Sequence, residues 1–329
     1  MGKPIVRIEA GTTAYPFEEM TSTDNIVFGS SASPWSGAAG AEPVVGPYGL
    51  LTGGAITPTP ATPNSVTVAT ADVMMPGADG ANAATGVLTV SGAVTVPHQT
   101  TDSYRITAIT VDADGDLVAV QGAGHASAFS TVRGDDGGPP LIPVGSIEIG
   151  HVRRSAAEST AVLASEIIQI PGLTVERSDY PVYEINYATG AVTFAEALPL
   201  IHVGPAPKDV YARFSTPLFA PVPYTSDWTP AESTYSVSST DTYDGPVGSA
   251  TSSLGQASFT AQLKDGITEN FLSSKGNTVW VEFRPDRDKS LPKQLTQGVL
   301  GVSRTFPAGG GFSASCTVTP RVESLDVAS

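Results

Sequence analysis

The segment from Gly255 to Val322 restricts the fold more than any other, because its apolar residues repeat with a period of two through four successive runs. Phe259, Ala261 and Leu263 alternate with Ser258, Thr260 and Gln262, and Val279, Val281 and Phe283 alternate with Trp280, Glu282 and Arg284. Leu300, Val302 and Phe306 lie opposite Val299, Gly301 and Ser303, while Phe312, Ala314, Cys316 and Val318 alternate with Ser313, Ser315, Thr317 and Thr319. Successive side chains of a strand point to opposite faces, so each run has one face to bury and one to wet. Ile267 and Phe271 stand four apart, which predicts a two-turn helix over Ile267 to Ser274.

Elsewhere the 34 glycines and 27 prolines fall between short Val/Ile/Thr-rich runs, which predicts many turns and short strands. The fold class expected is all-β with one short helix. At 329 residues the chain is long enough for two domains, each with its own core. The net charge is −15 and no lysine lies between Lys3 and Lys208. A surface of that sign repels phosphate, so the sequence disfavours nucleic-acid grasping and anionic membranes. Cys316 is the single cysteine. It excludes an intrachain disulfide and reads as a small core residue. Met1 to Glu9 has no apolar stretch of the kind a signal peptide carries, and no run approaches the roughly 20 apolar residues of a membrane span. Synthesis in a cytoplasm without membrane insertion is therefore expected.

Along the chain, Pro4 to Glu9 and Ile26 to Phe28 are strand candidates. Gly29 to Gly46 is a Ser/Ala/Gly/Pro linker, with Trp35 as an anchor onto a neighbouring surface. From Tyr48 to Ala164 strands recur at short spacing, and Asp112-Ala113-Asp114-Gly115 is the clearest hairpin turn, flanked by Ile109 to Val111 and Leu117 to Val120. Ser155 to Glu166 reads as a short helix or a return linker. Tyr183 to Phe194 is a second hairpin, Val203 to Lys208 a stiff joint, and Ser236 to Gly255 a long mobile loop. No fixed-period repeat points to a solenoid or propeller.

The motifs that could carry chemistry read as turns and surface charge. Asp112, Asp114 and Asp116 resemble the start of a calcium loop, but Leu117 and Ala123 stand where Gly and Glu are needed. Arg133-Gly134-Asp135 is a tripeptide that Gly/Asp-rich loops produce readily. His98, His125, His151 and His202 are scattered, without zinc-ligand spacing. Pro34-Trp35-Ser36-Gly37 does not form a nucleophile elbow, and Gly309-Gly310-Gly311 precedes a strand where a phosphate loop would precede a helix. Asp286 and Asp288 sit beside Arg284, Arg287 and Lys289, a surface charge cluster. No catalytic, cofactor-binding or metal-ligating residue is assigned, and no enzyme activity or cofactor is expected.

The unit formed by Ile267 to Ser274, Thr278 to Pro285 and Gly298 to Val322 resembles the major tail tube protein of long, non-contractile-tailed bacteriophages. The middle region, with Gly53-Gly54, Tyr104 to Gly122 and Pro140-Leu141-Ile142-Pro143-Val144-Gly145, resembles β-domains of phage tail-fibre and baseplate proteins. Together these imply residues 1–47 and 205–329 as a tube-type β-sandwich or barrel, 48–164 as an inserted outer β-domain, and 165–204 as a hairpin and return segment. The resemblance implies hexameric rings that stack into a virion tail tube, a conduit for DNA ejection through which genomic DNA passes without specific binding. Its implied partners are further copies of itself and the tape-measure, terminator and baseplate proteins, with weak glycan contact by the outer domain. Ser236 to Gly255 and Asp286 to Gln294 are candidate ring-to-ring contacts. The alternatives are a fibre, baseplate or capsid-decoration binding protein, and a secreted β-sandwich hydrolase or carbohydrate-binding protein.

Overall fold

The computed structural model describes residues 2–30, 34–60, 62–97, 104–155, 161–243 and 245–328. The protein is nearly all β, as the alternating runs require, and among the described residues its helical content is two short 3-10 turns, Ala164–Glu166 and Asn270–Ser274. The chain divides into two compact units: Met1–Ala14, Ala32–Pro43 and Phe214–Ser329 form the first, and Tyr15–Ser31 with Val44–Arg213 the second.

The first unit is built on an antiparallel sheet. Its hydrogen-bonded order runs Thr225–Thr229, Ala257–Leu263, Phe312–Pro320, Lys293–Thr305, Thr278–Arg284, Ile5–Glu19, Val210–Val222 and Val44–Pro47, with Leu325–Val327 paired to Lys293–Thr305; Ile5–Glu19 and Val210–Val222 are shared with the other unit's part of the chain, to which Val44–Pro47 belongs. Thr225–Thr229, at one end, and Val210–Val222, six places along, are consecutive in sequence, joined only by Pro223 and Tyr224. Trp228 on the first strand stacks on Phe283, four strands away, at 5.5 Å and 10°. A sheet can meet both conditions only by rolling up, the direction in which strand twist drives it. The inner face gathers Val6, Ile8, Phe259, Val279, Val281, Leu300, Val302, Cys316 and Val318. These are the positions that the period of two assigns inward, each worth about 1.5–3 kcal/mol of burial for the larger side chains. Phe306, placed with them by parity, lies beyond the strand end at Thr305 and is exposed.

The expected helix over Ile267 to Ser274 is replaced by the turn Asn270–Ser274, with Phe271 buried and Ile267 exposed. Side chains have taken the backbone donors that a helix needs. Asp265 accepts the N–H groups of Ile267 and Thr268 at 2.7 and 2.8 Å, and Glu269 accepts those of Lys264, Asp265 and Gly266. Such local bonds compete with the helical ladder.

The second unit is a sandwich. Ser65–Met74 pairs with Gly49–Gly53, Ile56–Pro58 and Val87–Thr95 in one sheet, and the other runs Leu117–Gln121, Arg105–Val111, Ile147–Arg154, Ile167–Ile168. Val66, Val68, Val73 and Val90 of the first sheet share a core with Ile109, Val111, Ile147 and Ile149 of the second. A smaller sheet pairs Val27–Gly29 with Ala191–Phe194 and sets Phe28 edge-on to Phe194 at 5.5 Å. That pairing draws Tyr15–Ser31 into this unit, whereas the sequence groups residues 1–47 with the C-terminal region and sets 165–204 apart. Part of the Ser155 to Glu166 segment, residues 156–160, lies outside the described residues.

Candidate functional site

The segment expected as a mobile loop is a ribbon. Ser233–Thr242 and Gly245–Leu254 pair antiparallel through ten residue pairs, from Ser233↔Leu254 to Thr242↔Gly245. Its Ser, Thr and Val residues favour extended backbone. The register sorts them by face. Thr234, Ser236 and Ser238 lie across from Ser253, Thr251 and Ser249, and hydroxyls join Thr234 to Ser253 and Ser238 to Ser249 at 2.8 Å each. On the opposite face Tyr235 and Val237 stand across from Ser252 and Ala250. Both Tyr235 and Val237 are 77% exposed, as is Tyr243 in full at the turn. The ribbon joins no other strand among the described residues. It is rooted by Gly255 N–H to Glu232 O at 2.9 Å and Ser233 N–H to the Glu323 carboxylate at 2.9 Å. A two-stranded ribbon is marginal in water, and this one holds Tyr235 and Val237 together on one face with nothing among the described residues to cover them.

On the same unit, a cavity of about 810 Å³ opens where the edge strand Thr225–Thr229 meets Ile5–Glu19 and Val210–Val222. Its walls are Ile5, Val222, Trp228 and Phe283, with Tyr224 at the rim, 81% exposed. Trp228 is fixed by its stacking on Phe283 and by donating its indole N–H to Gln294 Oε1 at 2.7 Å. The charged lining consists of Lys3, Arg287 and Asp227, a surplus of one positive charge in a chain of −15. Tyr224 and Asp227 both hold positive φ, +52° and +60°, and the pairing of Thr225–Thr229 with Ala257–Leu263 slips between Ser226 and Thr229. The sheet edge is therefore bulged, a geometry that discourages further strand pairing.

The outer face of the sheet carries buried charge. Glu282 receives Arg7 at 2.8 Å, Arg284 at 2.8 Å and Lys293 at 3.3 Å. Burial pushes its carboxyl up, but hydrogen bonds from Arg284 and Arg7 and the nearby Arg284 and Lys293 charges more than offset this and hold it below the ordinary glutamate value. Glu9 stays above that value because burial outweighs its hydrogen bonds to Ser36 and to the Trp280 N–H. Ser36 is thus a buried donor to a carboxylate, and Trp35 is fully buried, stacked on Phe214 at 4.5 Å.

The second unit holds a buried cluster that the sequence alone does not reveal. Glu148 accepts Arg133 at 2.6 Å and faces His151 Nε2, while its N–H donates to Glu176 Oε2 at 2.7 Å. Lys208 Nζ donates to the carbonyls of Arg177 and Tyr180 at 2.6 and 2.9 Å. Burial drives Glu176 upward and Lys208 downward, each only partly countered by the other's charge. Arg133 is consequently engaged within the unit instead of forming a free tripeptide with Gly134 and Asp135.

The remaining candidates fall apart in space. Asp112 accepts the N–H groups of Asp114 and Asp116 at 3.1 and 2.9 Å, as a hairpin turn requires. His125 Nδ1 accepts from Ser127 and Ala128, and buried His202 places Nε2 3.0 Å from Ser146 O; His98 lies outside the described residues. Among the described residues no three His, Cys, Asp or Glu side chains converge as metal ligands would, and no helix is long and apolar enough to cross a membrane. Gly309 to Gly311 is an exposed turn. No protein-family model matches the chain, and no curated protein matches it.

Proposed function

We propose that this chain is a structural, self-assembling subunit whose copies close into rings and stack as a virion tail tube. The observation that carries the reading is the ribbon Ser233–Thr242/Gly245–Leu254, which holds Tyr235 and Val237 exposed on one face with no cover among the described residues. A second copy of the same chain is the simplest cover, and a head-to-tail contact repeated by rotation closes a ring. The rolled sheet of the first unit supplies a rigid body with few free edges, suited to repetition. The net charge of −15 per chain, multiplied around a ring, makes a lumen that DNA traverses without adhering. On this reading the partners are further copies, the proteins that set tube length and close its ends, and DNA in transit. Weak glycan contact, on this reading, falls to the second unit.

Electron microscopy of the concentrated, purified chain tests this. Hollow rings or tubes bearing outward knobs are expected. Monomers or discrete trimers at every concentration would overturn the proposal and favour an adhesin or decoration protein.

A further inference from the structure

We propose that the aromatic cavity at the seam of the rolled sheet is the socket for the apolar face of another copy's ribbon, an inference that rests on the self-assembly reading above. Five observations converge on this pairing. The cavity, at about 810 Å³, falls within the size range of binding sites and is walled by apolar and aromatic side chains. The ribbon offers the matching chemistry, Tyr235 and Val237 on one face with Tyr243 at its turn, all exposed.

Charge agrees with shape. The socket lining carries Lys3 and Arg287 against the single acid Asp227, whereas the stretch Ser233 to Leu254 contains Asp241 and Asp244 and no lysine or arginine. Such complementarity selects the partner and its orientation. The chain's own ribbon is not the occupant: among the described residues none of Ser233–Thr242 or Gly245–Leu254 lines the cavity. Finally, the bulged edge at Asp227 disfavours strand addition, so the contact is made by side chains entering the cavity.

Donor and acceptor are thus different patches of one surface, the arrangement that generates rings or filaments instead of closed dimers.

A cross-linking experiment separates this contact from the assembly itself. Copies bearing Ser226→Cys are mixed with copies bearing Val237→Cys, assembled, and treated with a short bis-maleimide. Burial pushes the native Cys316 thiol up to about 12, so it does not compete. The expected product is a covalent dimer containing one chain of each kind, several-fold above either variant alone. In parallel, Val237→Ser is expected to weaken association roughly ten-fold while the melting temperature of the isolated chain is unchanged. Rings that form normally yet yield no mixed dimer, with Val237→Ser assembling like the parent, would overturn the socket and leave the self-assembly reading intact. A parent chain that forms no assembly at all would overturn both.

Discussion

Two ribbons in this molecule begin from similar local chemistry and end in opposite environments. Arg105–Val111 and Leu117–Gln121 turn through Asp114-Gly115, and every residue of Arg105–Val111 is buried between Leu117–Gln121 and Ile147–Arg154 and beneath the facing sheet. Ser233–Thr242 and Gly245–Leu254 also turn next to an Asp-Gly pair in the sequence, yet their described side chains are almost all exposed. Local propensity makes both ribbons, but only tertiary packing stabilises one of them within a single chain. On the proposed reading assembly acts at the second ribbon, whose side chains have no cover among the described residues.

The comparison breaks most readily at the buried ribbon. Ile109→Ala, at a site with no solvent exposure, is expected to cost about 4 kcal/mol of stability, read as a shift in the denaturant midpoint. A loss below about 1 kcal/mol would mean that the sandwich does not depend on this ribbon.

Glu282→Gln sharpens the contrast by asking how firmly the sheet that roots the exposed ribbon is held. Removing the one carboxylate that receives Arg7, Arg284 and Lys293 is expected to cost about 3 kcal/mol at neutral pH. Because the folded carboxyl lies below its ordinary value, its contribution is present above that value and lost as pH falls through the folded one. The parent and variant stability curves should therefore converge in acid; parallel curves would exclude this ion cluster as the cause.

Glu176 has the opposite sign. Its folded carboxyl is raised by burial, with Glu148 adding to the effect and Lys208 and Arg133 opposing it. Stability from the protonated form is thus complete below the ordinary glutamate value of 4.5 and lost as pH rises through the folded value near 8. Glu176→Gln should gain steadily on the parent as pH rises from 5 to 8, where calorimetry would register a flat difference if the cluster were solvated. At the exposed ribbon, Tyr235→Ser is expected to change the stability of the isolated chain by less than about 0.5 kcal/mol. A larger loss would show that the ribbon already has an intrachain partner.

Much of this architecture is legible in the sequence. The alternation at Phe259-Ala261-Leu263 and Phe312-Ala314-Cys316-Val318 identifies the inner face of the rolled sheet residue by residue, because burial on one face imposes a period of two. The ribbon escapes the same test because serine and threonine occupy more than half of its positions and leave Tyr235 and Val237 as a faint signal. Ile267 and Phe271 have helical spacing, but Asp265 and Glu269 capture the backbone donors, a competition that spacing does not reveal. The seam cavity is illegible for a different reason. Val6, the stretch Val222 to Trp228, and Phe283 are distant in sequence and meet only because the sheet rolls. Likewise Glu148, Glu176 and Lys208 look like ordinary surface charges until the strands bury them.

Hydrogen exchange over residues 233–254, measured on the dilute monomer and on the assembled protein, tests the central claim most directly. The account predicts rapid exchange of the ribbon in the monomer, beside slow exchange in Arg105–Val111, and strong protection of the ribbon once assembly occurs. Equal protection in both states, or a ribbon that stays unprotected within intact assemblies, would contradict it.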